Sequence, residues 1–150
     1  MDTVHNYEVD LKWQSDRKGL LSSPVLNEQI EIATPPEFPK GMEGIWSPEH
    51  FFVASVSSCL MTTFLAISEY SKLEYLSLDI KAVGKLEKVD GKFMISEITL
   101  KPTLTILDEA QTAKAERILH KSENACLISN SIKSTIIMDA EVIVSEKSIV

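Results

Sequence analysis

The chain carries two cysteines, Cys59 and Cys126, and no C-x-x-C pair, so it encodes neither a disulfide framework nor a thioredoxin-like redox motif. Two thiols with no others permit one specific chemistry. A thiolate is oxidised to a sulfenic acid, and a second thiol condenses with it to a disulfide. They equally permit two small core residues, because free cysteine is among the most buried residue types. In the middle of a helical stretch Cys59 reads first as core, since a reactive thiol needs an electropositive neighbour and spacing along the helix supplies none. Cys126 lies in a break between regular elements, and spacing alone does not bring the two together. Arg17, beside Asp16 and Lys18, reads as a solvated loop charge. Trp46, Phe51 and Phe52 read as core aromatics. His5, His50 and His120 are scattered singly, without ligand spacing, so no metal site is expected.

The element that must position Cys59 opens at Ser47-Pro48-Glu49-His50. Serine at an N-cap can accept from an orphan N–H, and proline at the first helical position loses nothing. Glu49 suits the positive end of the helix dipole, and His50 reads as surface or packing. The next twenty residues hold no Gly or Pro, and apolar or small side chains lie nearly all the way round until Glu69. A helix apolar on most faces is buried on most faces. The expectation is a long, buried central helix over 47–71.

Around it the pattern is that of strands. Tyr7, Val9, Leu11 and Trp13 alternate with polar residues, the period of a half-buried strand. A polar turn over 14–19 follows, with short strands at 20–23 and 29–34. The segment 35–46 holds three prolines and two glycines and reads as a loop. Beyond the helix, Leu76 to Leu86 alternate, Asp90-Gly91 signals a hairpin, and the return strand runs from Lys92 to about Leu107. Its apolar phase is odd at Phe93 and Ile95 and even from Ile98 onward, which predicts a bulge near Ser96-Glu97. Asp108 to Gln111 resembles a capping box for a second, more polar helix ending near Asn124. A single helical turn fits 125–130, and Ile136 to Val144 alternate as one last strand. The order predicts an α+β fold with antiparallel sheet, in one domain spanning 1–150.

The net charge of −7 with no basic patch argues against a nucleic-acid or anionic-membrane binder. Ser and Thr interrupt the apolar centre of the helix, which makes it a weak candidate for a membrane span. The start, Met1-Asp2-Thr3-Val4-His5, has neither a basic n-region nor an apolar h-region, so no signal peptide is expected. A cytoplasmic protein fits these features and the two thiols.

Together these residues resemble the OsmC/Ohr family, the osmotically inducible and organic hydroperoxide resistance proteins. That family has a glycine-containing loop, then Asn-Pro-Glu-(Glu/Gln)-Leu, then a helical cysteine ten residues after the first Glu. Here Gly41 and Gly44 precede Ser47-Pro48-Glu49-His50-Phe51, and Cys59 stands ten after Glu49. The second signature, Cys-Pro-x-Ser before the last strand, corresponds to Cys126-Leu127-Ile128-Ser129. The family's arginine, in the turn after the first strand and near a glycine, corresponds to Arg17 with Gly19. Ser47, His50 and Leu127 depart from the pattern.

The resemblance implies an OsmC-like fold, with antiparallel sheets around a long central helix in an intertwined homodimer. It implies a thiol-dependent peroxidase for organic hydroperoxides that needs no cofactor and takes small thiols or dihydrolipoyl groups as reductants. Cys59 would be the peroxidatic nucleophile and Cys126 the resolving thiol. Arg17 would stabilise the thiolate and polarise the peroxide, with Glu49 orienting Arg17. Trp46, Phe51, Phe52 and Met61 would form an apolar pocket for alkyl peroxides. Ten residues of helix separate Glu49 from Cys59 by roughly 15 Å along the axis, so Glu49 is expected to serve the other subunit's site. The alternative is a non-catalytic dimer of the same fold that binds an apolar small molecule in stress response.

Overall fold

A computed structural model describes residues 3–146. The chain forms two compact units, Met1–Phe51 and Phe52–Val150, with the boundary inside one helix.

The first unit is a three-stranded antiparallel sheet in the order β1-β2-β3: β1 Asp10–Ser15, β2 Lys18–Ser22 and β3 Ile30–Ala33. Ser15 pairs with Lys18, so Asp16-Arg17 is a two-residue turn. The turn is held by Trp13 Nε1, which donates to the Asp16 carbonyl at 3.0 Å. β1 is shorter than its alternation predicts and is not half-buried. Leu11 and Trp13 are exposed, as are Tyr7 and Val9 ahead of the strand. A two-fold pattern marks a face built to be covered, and among the described residues of this unit nothing covers it. The loop then folds back on β3. Ala33 N–H donates to Trp46 O at 2.9 Å and Met42 N–H to Thr34 O at 2.9 Å. Gly41 is needed there, since a Cβ would sit 1.9 Å from the Pro35 carbonyl oxygen.

Helix α1 spans Pro48–Tyr70. Its cap holds a surprise. Ser47 Oγ accepts from His50 N–H at 3.2 Å, as an N-cap should, and His50 Nδ1 accepts in return from Ser47 N–H at 3.2 Å. Nδ1 also lies 2.7 Å from Ser47 Oγ. His50 therefore performs the reciprocal half of a capping box, the task a Glu or Gln at the third position usually performs.

The second unit holds the rest of α1 and a four-stranded sheet. β4 (Ser77–Val89) and β5 (Lys92–Ile106) form a long hairpin. Asp90 (φ 52) and Gly91 (φ 79) make the turn, both in the positive-φ region a two-residue hairpin loop of this kind demands. Lys85 pairs with Glu97 but Leu86 pairs with Ile95, so Ser96 is the extra residue of a bulge. Its hydroxyl donates to the Glu87 carboxylate. The bulge is where the change of apolar phase predicts it.

The C-terminal strand departs from the sequence reading in two ways. It is split into β6 (Thr135–Met138) and β7 (Glu141–Val144), and both pair with β5 in parallel. The same register resumes beyond the gap, which leaves the interruption opposite Pro102, a residue with no N–H for the ladder. The parallel direction follows from α2 (Thr112–Asn124), which carries the chain back before the last strands begin. Asp108 enters α2 through a 3₁₀ turn, its carboxylate accepting from Ala110 N–H at 3.0 Å.

Two apolar clusters hold this unit together. Val56, Leu60, Ile98 and Leu100 form one. Phe64, Leu73, Leu104, Ile106, Ala115, Ile118 and Leu119 form the other. Each fully buried side chain of this size contributes about 1.5–3 kcal/mol. By length and composition α1 could span a membrane, yet Val56, Leu60 and Phe64 are core residues here. The expectation of burial on most faces holds on one side only. Val56, Cys59, Leu60, Phe64 and Ser68 are buried, while Ser58, Met61, Thr62, Leu65 and Ala66 form an exposed stripe opposite.

Candidate thiol site

The second unit brings Cys59 and Cys126 together. α1 presents Cys59 on its buried side, between Val56 and Leu60, which lie in the first cluster. After α2, the chain turns sharply. Cys126 N–H donates to Glu123 O at 3.1 Å and Cys126 O accepts from Asn130 N–H at 3.1 Å. Ile128 and Ile132 pack on the cluster of Val56 and Leu60. Both thiols are free and buried, and each shifts the other's ionisation.

The two sulfurs are electrostatically unequal. Burial raises the Cys59 thiol, but donors outweigh it: the Cys126 thiol, the Ile128 backbone, the Thr63 hydroxyl and the Leu127 backbone. The net effect holds Cys59 below the ordinary thiol value. Thr63 Oγ1 stands 3.9 Å from Cys59 Sγ, one helical turn on. Burial pushes Cys126 up, and donating to Cys59 pushes it further, because a thiol that gives its proton to a hydrogen bond holds that proton. Ser129 opposes this weakly. Its Oγ is buried and out of line with any partner, yet close enough to Cys126 for its dipole to favour the thiolate. The pair is thus asymmetric, with Cys59 held below the ordinary thiol value and Cys126 above it.

The first unit holds Arg17, Trp46, Glu49 and Phe51 of the other predicted residues, and the second holds Phe52 and Met61. Arg17 is exposed at the tip of the β1–β2 turn, its carbonyl accepting from Thr34 N–H at 3.3 Å. It borders an open groove of about 440 Å³ whose apolar walls include Leu11, Trp13 and Ile32. Glu49 is half-buried, and its Oε1 is buried with no hydrogen-bond partner among the described residues. Trp46 is tilted against Phe51 at 5.4 Å between ring centroids and meets His50 edge-on at 5.9 Å. Phe52 packs on the first core cluster of the second unit. Met61 belongs to the exposed stripe, with 42% of its surface accessible. Among the described residues no group of histidine, cysteine and acidic side chains could hold a metal.

Reading side chains along the sequence misses three contributors, Thr63 and the backbone groups of Leu127 and Ile128, while Ser129 stood only as the last residue of the second signature. Thr63 had a signal, since it stands four residues after Cys59 on a helix and so shares its face. Leu127 and Ile128 act through backbone groups and leave no trace in residue type.

The profile of the OsmC-like protein family matches residues 41–141, which include both cysteines and Glu49. The uncharacterized protein YmaD of Bacillus subtilis is 24% identical over 140 residues, 91% of this chain and 93% of its own. Among solved structures, the OsmC-like protein of unknown function VCA0330 from Vibrio cholerae superposes with a TM-score of 0.82 at 22% identity, over 91% of this chain and 99% of its own. An organic hydroperoxide resistance protein from Elizabethkingia anophelis superposes with a TM-score of 0.76 at 18% identity, over 97% and 100%. At these identities the structural likeness establishes the fold. With the profile covering most of the chain, Cys59 and its surroundings take their place in a known lineage: the chain belongs to the OsmC-like protein family.

Proposed function

We propose that this protein is a thiol-dependent peroxidase that reduces organic hydroperoxides. The observation that carries the reading is the asymmetric pair, a Cys59 held below the ordinary thiol value beside a Cys126 held above it. Cys59 thiolate attacks the distal oxygen of ROOH, the O–O bond breaks, and ROH leaves after taking a proton from solvent. Cys59 becomes a sulfenic acid. Cys126 condenses with it, releasing water and forming the disulfide, which guards against over-oxidation. A small thiol or dihydrolipoyl group then reduces the disulfide and is itself oxidised.

Arg17 supplies the cation that polarises the peroxide and adds to thiolate stabilisation, a guanidinium being able to reach two acceptors without losing its proton. Trp46, Phe51, Phe52 and Met61 contribute the apolar surface that favours alkyl peroxides. Glu49 orients an arginine of a second subunit. In support, a buried carboxylate oxygen without a donor is costly, and a donor from another copy would satisfy it. The homodimer is supported by two uncovered apolar features, the alternating face of β1 and the exposed stripe of α1 around Met61 and Leu65. The cytoplasm is the compartment that suits two free thiols.

The test is a thiol count before and after one equivalent of an alkyl hydroperoxide, with a non-reducing gel. Loss of both thiols without a higher oligomer supports the enzyme. Retention of both thiols would reject it in favour of a protein that binds an apolar ligand without chemistry.

A further inference from the structure

Cys59 owes part of its character to a segment that offers no charged side chain. The chain from Cys126 to Asn130 is one tight turn, closed by Asn130 N–H on Cys126 O at 3.1 Å and Ser131 N–H on Ile128 O at 2.9 Å. Among the described residues, neither Leu127 N–H nor Ile128 N–H has a backbone acceptor. Ile128 packs its side chain on the core cluster that contains Val56 and Leu60, which lie one turn before Cys59 and next to it on α1, so the turn packs against the part of the core beside that thiol. The Leu127 side chain points away and is 67% exposed, so this residue meets the site through its backbone.

We propose that the backbone N–H groups of Leu127 and Ile128 form a donor pair that holds negative charge on Cys59 Sγ. An N–H can only donate, and a sulfur accepts well only when it is a thiolate. The pair therefore favours loss of the Cys59 proton to solvent and keeps the resulting anion in place. Both groups act in the direction required, lowering the Cys59 thiol from its ordinary value. The other titratable group that faces Cys59 is Cys126, whose thiol also donates. The segment carrying the second thiol thus also prepares the first, which ties the ionisation of Cys59 to the fold of a single turn. Once Cys59 is oxidised, the same N–H groups face the sulfenic oxygen while Cys126 approaches. The inference deepens the reading of Cys59 as nucleophile and rests on it for its purpose, although its test needs no turnover.

The experiment removes one N–H and keeps the chain. In a Cys126→Ser background, so that one thiol titrates, Leu127→Pro and Leu127→Ala are compared by ultraviolet thiolate absorbance across pH. Proline has no N–H. Alanine keeps it and removes only an exposed side chain. Because proline could disturb the turn, a third variant places leucic acid at position 127, which replaces the amide N–H by an ester oxygen and keeps the side chain. A hydrogen bond to a charged group is worth enough to move the thiolate fraction at neutral pH roughly tenfold or more. The expected result is a rise in the Cys59 midpoint for the ester, and for proline if it folds, with none for alanine. An unchanged midpoint in the ester variant overturns the proposal. Absence of peroxide reduction in a wild-type protein whose midpoint still responds to the ester would reject the enzyme and leave the donor pair standing.

Discussion

Cys126 has two separable tasks in this site, and two substitutions divide them. One task is to donate its S–H to Cys59, and the other is to attack the sulfenic acid. Cys126→Ala removes both, while Cys126→Ser keeps a hydroxyl donor and loses the ability to form a disulfide. Hydrogen bonds to charged groups contribute about 1.5–3 kcal/mol, and a thiol is a weak donor, so the lower end applies. The Cys59 midpoint should therefore rise for alanine, enough to cut the thiolate fraction at neutral pH about tenfold. Serine should leave the midpoint near its wild-type place. Cys126 is fully buried, so alanine also leaves a small void, worth about 1 kcal/mol of stability by analogy with a buried methylene. The assay is a thiolate titration of each variant, followed by mass spectrometry after one equivalent of alkyl hydroperoxide. Both variants should stop after one turnover with a trapped sulfenic acid, and alanine should reach it about tenfold more slowly at neutral pH. Coincident titrations and equal first-turnover rates for alanine and serine would refute the assignment of a donor role to Cys126.

Further outcomes follow from the rest of the site. Arg17→Ala should lower kcat/KM by about tenfold or more, with Arg17→Lys recovering part of it because charge returns without the planar fork; near-normal rates in both would make Arg17 a solvated loop charge. Mixed dimers of Cys59→Ser and Glu49→Ala subunits should keep roughly half the activity if Glu49 serves the partner's site, since one composite site is then intact, and nearly none if it serves its own. Cys59, whose pKa is lowered on folding, adds stability that is fully present above the unfolded thiol's pKa and lost as pH falls through the folded one. Cys126, raised, has the opposite sign, so Cys59→Ala should show a stability deficit that grows with pH up to the ordinary thiol value, and a pH-independent deficit in thermal melts would contradict the shift. Ser96→Ala should cost only about 1 kcal/mol for its bond to Glu87, and deletion of Ser96 should keep a cooperative melt, because without the extra residue Ile95 and Ile98 fall on one face of a regular strand; loss of cooperativity on deletion would refute Ser96 as the extra residue.

What was legible in the sequence was whatever residue type and period encode directly. Ser96 is the clear case, because a strand of period two cannot change phase without an extra residue. Asp90-Gly91 is another, since both turn positions need positive φ. The break between β6 and β7 was not legible in their own alternation, because its cause, Pro102, sits in the strand they pair with. His50 read from the sequence as surface or packing, and it is exposed and packed on Trp46; what the sequence did not show is that its Nδ1 accepts the Ser47 N–H as a carboxylate would. The exposure of β1 and of the Met61 stripe could not be read either, since an apolar pattern records that a face is made to be covered and not what covers it.

The candidate site divides along the same line. Cys59, Cys126, Arg17 and Glu49 were found through their side chains and through family resemblance, which the family profile bears out at the level of membership. What makes Cys59 differ from Cys126 came from elsewhere. Two of its four donors are backbone groups, and the sequence weighed them only as Leu127 standing where the family has proline. That substitution looked like a weakness in the match. Physically it has the opposite sense for the first thiol, since proline at this position could not donate and leucine can. If the ester variant behaves as expected, a departure from the motif will have supplied a donor to Cys59, and the strength of a thiol site in this fold will depend on the backbone of the turn after its second cysteine as well as on the arginine.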